Sequence, residues 1–194
     1  EINEVVTLLV TELAAKAAES EDLPPELRNV LNLNVGEMAE MAKKTHIPFA
    51  TGERLVTKWQ FRDLLNLGAA QFLQPDITHC GGITELKAIA TLAEAYYAAM
   101  LPHSREGIVG MVASMHVCAT IPNFLAHELP SLQAAPNDGV VRSYLGRSYI
   151  KKPLTMTAGH VVIKGNFDGP GLGIELLPDI FRRPDAMVRT STLD

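Results

Sequence analysis

The chain has 194 residues, of which 47% are hydrophobic and 20% charged, with 17 basic and 22 acidic side chains and a net charge of −5. This composition excludes a disordered chain, and the acidic balance argues against nucleic acid as the main partner, because phosphate binding depends on clustered Lys and Arg. No apolar run has the roughly 18 residues that cross a membrane. The two cysteines, Cys80 and Cys118, cannot form a disulfide framework, and the first residues lack signal-peptide features. We therefore expect a cytoplasmic protein that does not contact membranes.

The N-terminal region, residues 1–34, is predicted to be irregular. Residues 5–19 show the apolar spacing of a helix. Residues 20–34 are polar and contain the adjacent prolines Pro24 and Pro25, which favour a loop.

Residues 35–130 alternate between short apolar runs and helical segments. This alternation predicts βαβ units and a parallel sheet. The apolar runs are almost continuous, as expected for strands covered on both faces. In chain order, the predictions are a helix over 35–45, a strand over 47–51, a helix over 57–67, a strand over 71–74, a helix over 83–97, a strand over 98–101, a helix over 107–119 and a strand over 124–127.

The pattern stops in the C-terminal region, residues 131–194, which we predict to be an extension of the preceding domain. Residues 131–160 are loop-rich, 161–163 favour a short strand, and the glycines of 168–173 indicate a turn.

Four ionisable side chains follow the ends of four successive predicted strands. They are Glu53, Asp76, His103 and Glu128, separated by 23, 27 and 25 residues, about one βα unit each. In a (β/α)₈ barrel the carboxyl ends of the strands converge on one face, where active sites form. We therefore expect these four residues to contribute to one site.

The residue types indicate a definite chemistry. Glu53 offers hard oxygen atoms, which suit Mg²⁺. Asp76 and His103 follow adjacent strands, where a carboxylate can orient an imidazole and raise its basicity. A metal ion together with a general base predicts proton abstraction next to a carboxylate, with the ion stabilising the enediolate.

The segments IPFATGERL (47–55), QPDITHCGGITE (74–85) and LPH (101–103) together resemble the enolase superfamily. Within it they are most similar to the mandelate racemase and muconate lactonising enzyme subgroup, and there to acid-sugar dehydratases of the galactonate type. The match covers about residues 35–130, and DGPGLGIE (168–175) resembles the family's return to its capping domain. A His base working with Mg²⁺ is established chemistry in that superfamily.

The resemblance implies an α/β fold, the TIM-type (β/α)₈ barrel of the enolase C-terminal domain, represented here by its C-terminal half of four βα units. It implies that Glu53 is a magnesium ligand, that Asp76 and His103 are the general-base dyad, and that Glu128 binds the substrate's carboxylate or enediolate. The implied reaction is the Mg²⁺-dependent dehydration of a sugar acid, an aldonate or aldarate, and the implied assembly is a homo-oligomer.

The family pattern is incomplete upstream of Glu53. ESEDLPPE (19–26) faintly resembles the motif of a second metal ligand, but Asp22 stands where a proline is expected. We recognise no counterpart of the first ligand or of the capping domain, and we expect the 194 residues alone to be inactive. Two alternatives stay open: a racemase or epimerase of the same subgroup, or a catalytically inactive half-barrel.

Overall fold

The computed structural model describes residues 34–104, 107–129, 149–157 and 159–182. The helix predicted over 5–19 lies outside the described residues. None of the helices in those described ranges is long and apolar enough to span a membrane. The chain forms two compact units, residues 1–106 with 110–129, and residues 107–109 with 130–194.

The described residues up to 129 contain helices and strands in strict alternation, apart from one additional short helix. In chain order they are α1 (Val35–Ala42), β1 (Ala50–Thr51), α2 (Thr57–Asn66), β2 (Phe72–Leu73), α3 (Ile77–Cys80), α4 (Gly82–Ala95), β3 (Ala99–Met100) and α5 (Ile108–Cys118).

The strands β1, β2 and β3 form a parallel sheet in chain order, which confirms the predicted βα arrangement. The fourth predicted strand, 124–127, continues this order. Phe124 forms a parallel bridge with Met100, and the amide of Glu128 donates to the carbonyl of Pro102 at 3.1 Å. The segment therefore lies beside β3, although only a bridge and not a full ladder joins them.

The observed elements differ from the predictions mainly at their ends. The ladders of β1–β3 are two residues long, and α1 ends at Ala42, before the predicted residue 45. The short helix α3 is an element that the sequence pattern does not predict. It forms because Asp76 is its N-cap and accepts a hydrogen bond from the amide of Thr78, as aspartate commonly does at helix N-termini.

The core of the first unit lies between the helices and the sheet. Helix α4 buries four side chains at the spacing of one helical face, and α2 buries three in the same way. The buried residues of the two helices are Leu86, Ile89, Ala90 and Ala93 on α4, and Phe61, Leu64 and Leu65 on α2. Leu73 of β2 and Met100 of β3 are fully buried as well, so the central strands also contribute side chains to the core.

The second unit contains an antiparallel pair, β4 (Met156–Thr157) and β5 (His160–Val161), and a 3₁₀ turn over Ile180–Arg182. The buried side chain of Asn166 accepts from the amide of Thr155 at 2.8 Å and donates to the carbonyl of Val162 at 2.7 Å. The strand predicted over 161–163 is observed over His160–Val161.

Gly52 connects β1 to Glu53 in a conformation that only glycine adopts easily. Its φ is +132°, and a Cβ atom there would lie 2.7 Å from Cε1 of Phe61 and 3.3 Å from the amide nitrogen of Gln74. The buried ring of Phe61 cannot move aside in a packed core. Gly52 therefore determines how the chain leaves the sheet just before the first candidate site residue.

We expect Gly52→Ala to destabilise the fold more than Gly68→Ala. Gly68 also has a positive φ, +65°, but a Cβ atom there would meet nothing within 4 Å, so its substitution costs only the left-handed backbone penalty of about 1–2 kcal/mol. Gly52→Ala adds steric overlap in the core, worth about 1–3 kcal/mol more. Urea unfolding measures both free energies, and equal losses in the two variants would contradict the packing argument.

Candidate active site

The candidate site lies at the carboxyl ends of β2, β3 and the segment that begins at Phe124. Beyond the ladder, the chain continues in register, because the amide of Leu101 donates to the carbonyl of Leu73 at 2.8 Å and the amide of His103 donates to that of Pro75 at 3.2 Å. These bonds place Asp76 and His103 opposite each other as a parallel bridge. The backbone thus brings together two side chains 27 residues apart.

Asp76 and His103 are hydrogen-bonded side chain to side chain. His103 Nδ1 lies 2.8 Å from Asp76 Oδ2. The side chain of Asp76 is 1% exposed, whereas that of His103 is 18% exposed. The carboxylate is therefore sealed from solvent, while the imidazole that it contacts can be reached by a small molecule.

The ionisation of Asp76 follows from its partners. Burial raises the pKa of this carboxyl, but hydrogen bonds from the Thr78 hydroxyl, from His103 and from the Thr78 amide outweigh burial and hold the pKa below its usual value. An ionised carboxylate only accepts hydrogen bonds, so Nδ1 of His103 carries the proton of this contact. In the neutral ring Nε2 is then left with a free lone pair.

Glu128 lies on the other side of the His103 ring. Its Oε2 is 3.6 Å from His103 Nε2, which is an ion-pair distance and longer than a hydrogen bond. The same oxygen accepts a hydrogen bond from the backbone amide of Ser104 at 3.1 Å. The imidazole therefore lies between two carboxylates, one bonded to Nδ1 and one facing Nε2.

His127 also belongs to this region, and sequence reasoning missed it. Its Nδ1 donates to the carbonyl of Glu128 at 2.7 Å, and its Nε2 accepts from the hydroxyl of the fully buried Ser114 on α5 at 2.9 Å. Burial lowers the pKa of His127 to about 4, so the ring stays neutral near neutral pH. It ties the backbone that carries Glu128 to α5. The only signal in the sequence is its position next to a strand-end glutamate.

Glu53 follows β1 and Gly52 and is half-buried, next to Thr51 and Arg54. Within the described ranges, no group of three or more His, Cys, Asp or Glu side chains could hold a metal ion. The structure thus brings together Asp76, His103 and Glu128. Among the described residues, Glu53 forms no metal-binding cluster with them. As a donor, the Glu53 carboxylate fits Mg²⁺, but one carboxylate would not complete a site, and the described residues add no further group of ligands around it.

Comparison with known proteins gives a consistent result. A family model described as "Enolase C-terminal domain-like" matches residues 30–180. The D-galactonate dehydratase of Pectobacterium atrosepticum is 35% identical over 136 residues, which is 70% of this chain and 34% of that protein. The D-galactonate dehydratase of Ralstonia pickettii is 44% identical over 79 residues, 41% of this chain and 21% of that protein. The chain therefore spans about a third or less of these curated relatives.

Solved structures show the same similarity. An Agrobacterium radiobacter enolase, described as a proposed galactarate dehydratase with bound Na and L-malate, superposes with a TM-score of 0.66 at 28% identity, over 84% of this chain and 42% of that chain. A mandelate racemase/muconate lactonizing enzyme-like protein from Rubrobacter xylanophilus superposes with a TM-score of 0.62 at 33% identity, over 80% of this chain and 35% of that chain.

We expect the buried, neutral His127 to make stability depend on pH. Its pKa is about 4 in the folded chain and 6.5 ordinarily. Between these values the unfolded chain takes up a proton that the folded chain does not, so the free energy of unfolding falls as pH is lowered, by up to about 1.4 kcal/mol per pH unit. Urea unfolding at several pH values between about 7 and about 4 measures this slope.

The matched variant is His127→Gln, whose amide can keep both hydrogen bonds but does not titrate. Its stability is expected to fall less steeply with acid than that of the wild type. His46→Gln, at an exposed histidine, is expected to retain the wild-type slope. Parallel curves for wild type and His127→Gln would show that His127 is not buried as a neutral ring.

Proposed function

The chain belongs to the enolase C-terminal domain-like family, as its motifs indicate, and from this premise we propose that it carries the proton-abstracting side of an acid-sugar dehydratase. The substrate is an aldonate or aldarate with hydroxyl groups on carbons 2 and 3. His103 is the general base, Asp76 is its partner, Glu128 binds the substrate, and Glu53 is a ligand of Mg²⁺.

The observation that carries the proposal is the 2.8 Å contact between a sealed Asp76 and a reachable His103. A base needs a lone pair that the substrate can approach and a partner that stabilises the positive charge it gains. Nε2 supplies the lone pair, and the Asp76 carboxylate lies on the opposite nitrogen. A histidine that merely filled space in a loop would need neither feature.

The reaction begins when Nε2 of His103 removes the proton from carbon 2 of the sugar acid. The ring becomes an imidazolium, which the anionic Asp76 stabilises through Nδ1. The electrons of the broken C–H bond form an enediolate, and the 3-hydroxyl leaves as water with one proton, which the His103 imidazolium returns so that its ring is neutral again. In the resulting enol the proton of the 2-hydroxyl is transferred to carbon 3, which gives the 2-keto-3-deoxy acid. The described residues thus account for the first proton transfer.

Glu128 is placed to bind the reacting end of the substrate. Its Oε2 lies 3.6 Å from His103 Nε2, so a substrate whose carbon 2 approaches that nitrogen also meets this carboxyl. Two carboxylates in contact repel each other, and the contact is favourable only if they share a proton or a cation lies nearby. The backbone amide of Ser104, bonded to the same oxygen, holds the Glu128 side chain in this position.

The names of the curated relatives support dehydration over racemisation. Both are D-galactonate dehydratases, and one structural relative is described as a proposed galactarate dehydratase. Racemisation needs a second base on the opposite face of carbon 2. His103, with its two carboxylate neighbours, accounts for one face.

We expect a chimera to reveal this activity, because the chain spans only about a third of its relatives. In it, residues 47–129 replace the matched segment of the Pectobacterium atrosepticum D-galactonate dehydratase. The chimera is expected to convert D-galactonate to a keto acid in the presence of Mg²⁺, and His103→Asn to lower kcat by about 10²–10⁴-fold, the usual contribution of a general base. Keto-acid formation is measured colorimetrically.

The matched control is His46→Asn, at an exposed histidine. It is made in a second chimera whose replaced segment begins at residue 34 and so includes His46. It is expected to leave kcat unchanged. A chimera with native circular dichroism and melting behaviour but no activity would argue against the proposed function, as would a His103→Asn variant as active as its parent.

We expect Glu53→Gln to weaken Mg²⁺ binding by the same chimera at least about tenfold, because removing a ligand should cost no less than removing its outer partners. Isothermal titration calorimetry measures the affinity. The control is Glu37→Gln, at an exposed glutamate of α1. It is made in the chimera whose replaced segment begins at residue 34 and so includes α1. Equal affinities in the two variants would mean that Glu53 is not a ligand.

A further inference from the structure

We propose that Thr78 is a positioning residue, whose hydroxyl fixes the Asp76 carboxylate so that it selects which nitrogen of His103 carries the proton. The proposal rests on the proposed function, in which His103 is the base. Thr78 lies two residues after Asp76, on the first turn of α3.

The two oxygens of Asp76 have separate partners. Oδ1 accepts from the backbone amide of Thr78 at 2.8 Å and from its hydroxyl at 2.6 Å. Oδ2 accepts from His103 Nδ1 at 2.8 Å. Two donors on Oδ1 fix the rotation of the carboxylate about its Cβ–Cγ bond, and this rotation decides where Oδ2 points.

Burial makes the Thr78 hydroxyl hard to replace. The Asp76 side chain is 1% exposed, so in the folded chain its oxygens depend on protein donors and not on bulk water. A buried carboxylate short of hydrogen bonds is costly and relaxes toward other partners. Thr78 itself is exposed, so its side chain can be changed without opening a cavity.

The direction of Asp76 Oδ2 determines the tautomer of His103. A neutral imidazole has its proton on either Nδ1 or Nε2, and the hydrogen bond at one nitrogen decides which. With Oδ2 held at Nδ1, the proton stays there and Nε2 keeps the lone pair that proton abstraction requires. In the Ser-His-Asp triad, exchanging the carboxylate for an amide leaves the geometry intact but gives the wrong tautomer and lowers kcat about 10⁴-fold.

A purely structural interpretation assigns Thr78 only to capping α3. The cap, however, is already made by the Thr78 amide, which any residue except proline would supply. The hydroxyl adds a second bond to the same oxygen. If capping were its whole role, its removal would change the melting temperature and leave the His103 ring unaffected.

The experiment compares Thr78→Val, which removes the hydroxyl at nearly constant shape, with Thr78→Ser, which keeps it. The full 194-residue chain is labelled with ¹⁵N-histidine, and two-bond ¹⁵N–¹H correlation spectra are recorded at increasing pH until the ring signals no longer change. The His103 signals are identified by their loss in His103→Asn. Circular dichroism and thermal melting establish that each variant is folded.

We expect His103 to be the Nδ1–H tautomer in the wild type and in Thr78→Ser, and to shift measurably toward the Nε2–H tautomer in Thr78→Val. A folded Thr78→Val with the wild-type spectrum would overturn the proposal, and so would an equal shift in both variants. If Thr78→Val does not fold, Thr78→Ala takes its place with the same expectation. A wild-type His103 that is not the Nδ1–H tautomer would instead count against the proposed function, so the two failures are distinguishable.

Discussion

The register between β2 and β3 determines where the candidate site can form. Their pairing extends past the ladder because the amides of Leu101 and His103 donate to the carbonyls of Leu73 and Pro75. Pro75 has no amide hydrogen to donate, so it joins this pairing through its carbonyl alone. A slip of one residue would turn Asp76 and His103 to opposite faces and separate the pair on which the proposed chemistry depends.

Around this pair the polar groups are connected rather than isolated. Thr78 bonds to Asp76, Asp76 to His103, and the ring of His103 faces Glu128, whose carboxylate is held by Ser104. A second chain of bonds runs from the Glu128 carbonyl through His127 to Ser114 on α5. Buried polar networks of this kind are stabilising only when every member is satisfied, so each bond restricts the positions of the others.

Electrostatics then limits what can bind. The site exposes the edge of His103 between two carboxylates, and a sugar acid brings a further negative charge. Such an arrangement is favourable only with a compensating cation, which is the physical reason that Mg²⁺ belongs to the proposal alongside Glu53.

The sequence by itself determined the order of strands and helices along the chain and the resemblance that pointed to Asp76 and His103, because these depend on local apolar periodicity and on short motifs. Only the tertiary structure decided that the ladders are short, that α3 exists, and that Thr78 and His127 are bonded to members of the Asp76–His103–Glu128 group. The reason is that a hydrogen bond depends on distance and direction between particular atoms. Packing fixes these between strands about 25 residues apart, and periodicity does not report them.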